Sequence, residues 1–464
     1  MITGFTFPAR RPLAGCLILL GMLLVSGHLL GLPVAVSEAG VAYWLAAALL
    51  WSGLSKRNRL QAGLLLLVGM SCLAASYWLG GELSTSRLLS SNVSILSMLV
   101  AVSFLSLVSQ PANETDKPLP TGRGALGSTL AAIHGFGAVI NLSSVFIIGD
   151  RLAQQAKLSR EQSIVLVRGF SAAAFWSPFF AAMGVALSVA PKAQLSQLWL
   201  VSIPLAAIAL VLTYWQLARQ HADALPIAVL PAEHTPIEHA PEPPYPKAAV
   251  ADFVGYPLHP RALMLPCLLA VAVLLLHKSL PSLSILAVIT LLAPLFSLSF
   301  VMWQRGSPPR ALSQLVKGRL PQMGNELVLF LAAGILAYGL ETLLLSAQWQ
   351  LPLYYFGPLA ASLTYLCIVL LALLGIHPIV CITLAASLWS PLNPDHSLLA
   401  LVFLSSWALG TATGPLSGIN LAFQGRYGVD SFALMRWNLG YLALMSCCVI
   451  ASIYLLAAQL GLAA

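Results

Sequence analysis

Few residues in this chain could do chemistry, and nearly all of them interrupt apolar runs. Ser390-Pro391-Leu392-Asn393-Pro394 is followed directly by Asp395 and His396. Further on, three glycines and Pro415 break the run Gly410 to Asn420 and bring with them Thr411, Thr413, Ser417 and Asn420. Hydroxyls, an amide and unwound backbone together can coordinate one small solute. The amino-terminal ends of half-helices favour anions, and free carbonyls can hold a coupling cation. Ser177 and Pro178 form a similar break in the first half, with Arg168 nine residues before Ser177 inside Ser163-Ile164-Val165-Leu166-Val167-Arg168-Gly169-Phe170. An arginine at that depth costs about 2.5 to 3.5 kcal/mol to insert, which leaves two readings: it faces a cavity or a partner, where it can pair with a carboxylate or oxyanion, or, five residues from the start of the arm, it snorkels to the headgroups. Glu341, His377 and Asp395 are the candidates to carry a coupling proton or sodium ion.

Such residues need a scaffold, and composition says which kind. The 464 residues are 59% hydrophobic and 8% charged, with a mean hydropathy of +0.87. A soluble domain carries about 25% charge, so only a bilayer can solvate this surface. The net charge of +8 sits in short loops between apolar blocks, which excludes a nucleic-acid patch and fits membrane topology. The seven cysteines lie within apolar runs, have no zinc-type spacing, and read as buried hydrophobes without disulfides. No phosphate-binding loop, dinucleotide fingerprint, HExxH or nucleophile elbow occurs, so neither ATP driving nor the familiar soluble enzyme chemistries find a motif, and no metal or cofactor is expected.

Apolar blocks long enough to cross about 30 Å of hydrocarbon recur along the chain. They predict an all-α polytopic membrane protein. Residues 1–84 supply amino-terminal helices, 85–217 a first repeat, 218–261 a proline-rich cytoplasmic linker, and 262–464 a second repeat. Four histidines lie in the linker (His221, His234, His239 and His259), irregularly spaced and without cysteine partners. The halves share a sequence: Ala172-Ala173-Ala174-Phe175-Trp176-Ser177-Pro178 matches Ala385-Ala386-Ser387-Leu388-Trp389-Ser390-Pro391. Basic residues near the amino terminus, at 56–59 and at 305–319 are expected in the cytoplasm. That parity requires one block to enter and leave by the same face. The expectation is a re-entrant hairpin at 163–190, entered from outside, and an inverted copy at 376–409, entered from inside, followed by the broken segment 410–424. On this count Arg151, Lys157 and Arg160 fall on the external side.

Two halves, a polar linker and proline-tipped hairpins resemble the ion transporter superfamily of secondary transporters, which includes divalent-anion, citrate and arsenite permeases. The resemblance covers about residues 85–464. It implies an elevator-like motion of one part against a fixed scaffold, and a homodimer in the bilayer. The better-known symporters carry Ser-Asn-Thr at both tips; here Ser390 and Asn393 are separated by two residues and the first tip has no asparagine. The resulting expectation is not an enzyme but a multi-pass inner-membrane secondary transporter of a small anionic solute, driven by a proton or sodium gradient. The alternative is a membrane enzyme acting on lipid-linked sugars, with its arginines and histidines in an external loop.

Overall fold

A computed structural model describes residues 10–108, 118–154, 156–219, 253–258, 260–304, 306–348 and 355–462. Of these residues 81% are helical and none forms a strand. In chain order the helices are α1 (Arg10–Leu29), α2 (Val36–Leu50), α3 (Lys56–Trp78), α4 (Thr85–Ser90), α5 (Val93–Ser103), α6 (Gly122–Ile140) and α7 (Leu142–Ala153). There follow α8 (Arg160–Ala172), α9 (Ala181–Val189), α10 (Leu195–Arg219), α11 (Pro260–Ser279), α12 (Ile285–Trp303) and α13 (Pro308–Gln314). The last are α14 (Gly324–Ser346), α15 (Pro358–Leu373), α16 (Pro378–Trp389), α17 (His396–Thr413), α18 (Gly418–Tyr427) and α19 (Ser431–Gln459). Eight helical spans among the described residues are long and apolar enough to cross a membrane, consistent with an all-α multi-pass membrane protein.

Helix starts follow the polar residues that can accept from free amides. Ser55, Ser284, Asp395, Ser417 and Asp430 cap α3, α12, α17, α18 and α19, and Ser159 with Gln162 closes a capping box on α8. The outer helices turn large side chains such as Leu67, Val211 and Leu363 outward, whereas α17 is buried from Ser397 to Gly410. Apolar side chains gain nothing by leaving lipid for one another, so close backbone approach must help to join such helices. The crossing of α3 and α14 shows it: a Cβ on Gly339 would come within 2.3 Å of the Gly69 carbonyl oxygen.

Contacts sort the helix ends into two groups. At one end, the starts of α6 and α8 both bind the segment 253–255: the Gly122 amide donates to the Phe253 carbonyl at 2.9 Å, and Gln162 donates to the Val254 carbonyl at 2.7 Å. Arg160 stacks on Trp437 at the start of α19, 5.5 Å from the ring centre. Asp150 at the end of α7 holds Arg426 at the end of α18. At the start of α3, Arg57 donates to the carbonyl of Gly375, which abuts Leu416 in the α17–α18 connection. We call this the basic end, because Lys56, Arg57, Arg59, Arg123, Arg151, Lys157, Arg160, Arg219 and Arg426 all lie in or beside these segments. At the far end, Ser76 bonds Ser346, Arg87 pairs with Glu341, and the Gln194 amide donates to Ser397 at the start of α17.

This sorting corrects the expected placement of the first hairpin. Arg168 of α8 reaches Ala412, near the end of α17, through Asn438, while Gln194, after α9, binds the start of α17. The segment 163–190 therefore runs from one end of α17 to the other as a broken helix. The pair that returns to its own end is α6–α7, folded at Asn141. Arg151, Lys157 and Arg160 accordingly lie at the basic end, not on the opposite side. The two Trp-Ser-Pro segments also lie toward one end of α17. Trp199 donates to the Trp176 carbonyl, two residues along α10 from Gln197, which accepts from Ser397; Trp389 precedes the cap of the same helix start. Of the expected linker 218–261, residues 218–219 belong to α10 and 260–261 to α11, and residues 253–258 buttress α6, where the Thr129 hydroxyl accepts from the Tyr256 amide at 2.7 Å. His221, His234, His239 and His259 lie outside the described residues.

Candidate functional site

Two breaks meet inside the first half. At the α6–α7 fold Asn141 takes φ 51° and ψ −142°, a region almost reserved for glycine. Its side chain donates to the Phe179 carbonyl at 3.0 Å. Across from it, the α8–α9 break is tied by Ser177, whose hydroxyl donates to the Ala138 carbonyl and accepts from the Phe179 amide at 3.2 Å. Ser177 and Pro178 are buried. Hydrocarbon offers no hydrogen bonds, so the Ala138 and Phe179 carbonyls and the Phe179 amide are answered by the Asn141 and Ser177 side chains. His134 completes the junction, with Nδ1 3.1 Å from the Gly169 carbonyl and Nε2 accepting from the Trp176 indole at 3.2 Å. A nitrogen facing a carbonyl must donate and one facing an indole N–H must accept, which fixes a neutral imidazole.

Arg168 sits one step toward the basic end, only 4% exposed. Its Nε donates to Asn438 Oδ1 at 2.6 Å, one Nη to Gln216 Oε1 at 2.7 Å, and the other to the Trp437 carbonyl at 3.2 Å. The guanidinium lies 4.3 Å from the centre of the Tyr441 ring. None of these partners is an anion. The three bonds occupy three of the five guanidinium N–H groups. Asn438 in turn donates to the carbonyls of Leu434 and Ala412, so α8, α10, α19 and the end of α17 converge on one uncompensated positive charge.

The break after α17 adjoins this node. Thr413 is fully buried and bonds back to the Leu409 carbonyl at 2.7 Å. Ser417 donates to the Thr411 carbonyl at 2.8 Å and caps α18. Asn420 is fully buried; its Nδ2 donates to the Gly414 carbonyl, and its Oδ1 has no partner. Arg168, Thr411, Thr413, Ser417 and Asn420 are thus gathered near the basic end.

The remaining predicted residues are not gathered with them. Ser390 and Asn393 are exposed in the α16–α17 turn at the far end, where Asn393 adopts a left-handed conformation at φ 46°. Asp395 spends its carboxylate on the amides of Ser397 and Leu398. Glu341 forms a surface pair with Arg87, the two side chains 44% and 60% exposed. His377 caps α16 through Nδ1 at 3.2 Å and meets the Trp407 ring edge-on at 5.6 Å. Asn141, Gln216 and Asn438 are not among the site residues expected from the sequence. The available signal was a lone amide side chain inside an apolar helix, which in lipid calls for a partner. No family model and no curated protein matches this chain.

Proposed function

We propose that the protein is a secondary active transporter of a small anionic solute, built around Arg168. The observation that carries this reading is a buried guanidinium held only by neutral groups. Dipoles and an aromatic face orient the charge without cancelling it, and two N–H groups stay available. A site of that kind in low dielectric favours a carboxylate or oxyanion over neutral solutes. The adjoining breaks at Asn141, Ser177 and Gly414-Pro415 are the places where α7, α9 and α18 can shift relative to the continuous helices, which is what alternating access around Arg168 requires. The basic end is the cytoplasmic side by the positive-inside rule. The α6–α7 pair is then the re-entrant element. A relationship to the ion transporter superfamily is proposed on the polar linker, the repeated Trp-Ser-Pro sequence and the broken helices. A proton or sodium ion is the proposed driving ion, and a homodimer the proposed assembly.

The test is a thermal-shift series on purified full-length protein with phosphate, sulfate and succinate, each with and without sodium. A ligand at about 100 times its dissociation constant adds roughly 2.7 kcal/mol of stability to the state that binds it. At least one anion should raise the melting temperature of the wild type and leave Arg168→Gln unmoved. If no anion stabilises the wild type, or if Arg168→Gln responds equally, the reading fails.

A further inference from the structure

Arg160 lies eight residues before Arg168 on α8. Eight residues are about 12 Å of helix and little more than two turns, so the two arginines share a face. That face looks onto α19, where Trp437 and Tyr441 are four residues apart and likewise share a face. Arg160 stacks on Trp437 at 5.5 Å and Arg168 on Tyr441 at 4.3 Å. The result is a ladder of two guanidinium groups on two rings, with its outer rung at the basic end.

The rungs differ in how their donors are used. Arg168 is held by three hydrogen bonds. Arg160 is half-buried, its side chain makes no hydrogen bond to any described residue, and its Nε is buried without a partner. The adjacent acid, Glu161, bonds neither arginine, and its own Oε2 is unpartnered. A buried donor left unmade is costly, and an aromatic face alone does not satisfy it. An oxyanion would satisfy both the donor and the charge.

We propose that Arg160 and Trp437 form an outer receiving site for a small oxyanion, from which the ion passes along α8 and α19 to Arg168. This rests on the transport reading, and it adds a second binding residue and a side of entry. The chemistry required of the ligand is a carboxylate, phosphate or sulfate oxygen that can accept from a planar guanidinium. A phospholipid headgroup offers the same oxygen, so the test must separate the two sources.

Full-length protein is titrated with phosphate, sulfate and succinate in lipid-free detergent, following tryptophan fluorescence and melting temperature. Wild type, Arg160→Gln, Arg160→Lys and Trp437→Phe are compared, each checked for monodispersity. Apparent affinity for the responding anion should fall about tenfold in Arg160→Gln and partly recover in Arg160→Lys, and the fluorescence change should vanish in Trp437→Phe. Phosphatidylglycerol should not replace the free anion any better than phosphatidylcholine. If Arg160→Gln binds within about twofold of wild type while Arg168→Gln does not bind, the outer site is overturned and the transport reading stands. Stabilisation by phosphatidylglycerol alone, with no response to any free anion, overturns both.

Discussion

Asn141 concentrates much of the chemistry into one position. An asparagine at φ 51° and ψ −142° stores about 1 to 3 kcal/mol of backbone strain, repaid where its side chain answers a carbonyl of the opposing break. Asn141→Gly should keep the melting temperature near wild type, because relief of strain offsets the lost bond. Asn141→Leu should lose both and unfold several degrees lower in the same thermal scan. Equal melting temperatures for the two variants would show that the conformation is not strained. At Arg168 the planar fork matters as much as the charge, since each nitrogen addresses a different partner; lysine cannot reproduce that. Burial and a polar partner for Arg168 were legible from its position in an apolar arm. The identity of the partners was not, because Gln216 and Asn438 lie 48 and 270 residues away.

Among the elements, the charge-parity argument pointed to 163–190 as the segment that returns to its own side, whereas the structure carries that segment along α17 from one end to the other. One block had to return to its own side, and the proline at 178 made 163–190 the natural choice. The fold instead reverses at Asn141, in a stretch with Ser143 and Ser144 but no proline or glycine at the turn. Proline marked a real break, but one that α8 and α9 cross without reversing. The same shift removes the misfit of Arg151, Lys157 and Arg160, since the loop before α8 now lies with the other basic segments. Lys157 and Lys192 are both exposed and lie at opposite ends of the α8–α9 segment. In a background with the native cysteines replaced, Lys157→Cys should react with an impermeant maleimide only from the cytoplasmic side and Lys192→Cys only from outside. Labelling of both from one side would restore the hairpin at 163–190.

The whole molecule is a layered solution to a chain with too little charge for water. Outer helices present leucine and valine to lipid, and α17, buried along nearly all its length, forms the axis on which the breaks and the arginine node are arranged. Composition alone made the all-α membrane class legible, because hydropathy needs no tertiary information. Which breaks face each other depends on helix packing through small residues and single polar contacts, which leave little periodic trace in a sequence. The asymmetric placement of arginine and lysine gives the molecule a basic end, proposed above as the cytoplasmic one, and Arg168 lies within reach of it. The claim that this charge moves a solute is tested most directly by currents on a solid-supported membrane. Vesicles containing the protein are stepped into phosphate, sulfate or succinate, with sodium and pH gradients varied in turn. Wild type should give a transient current for at least one anion that Arg168→Gln, inserted to the same density, lacks. Identical currents from the two proteins, or none from wild type under any gradient, would contradict the account.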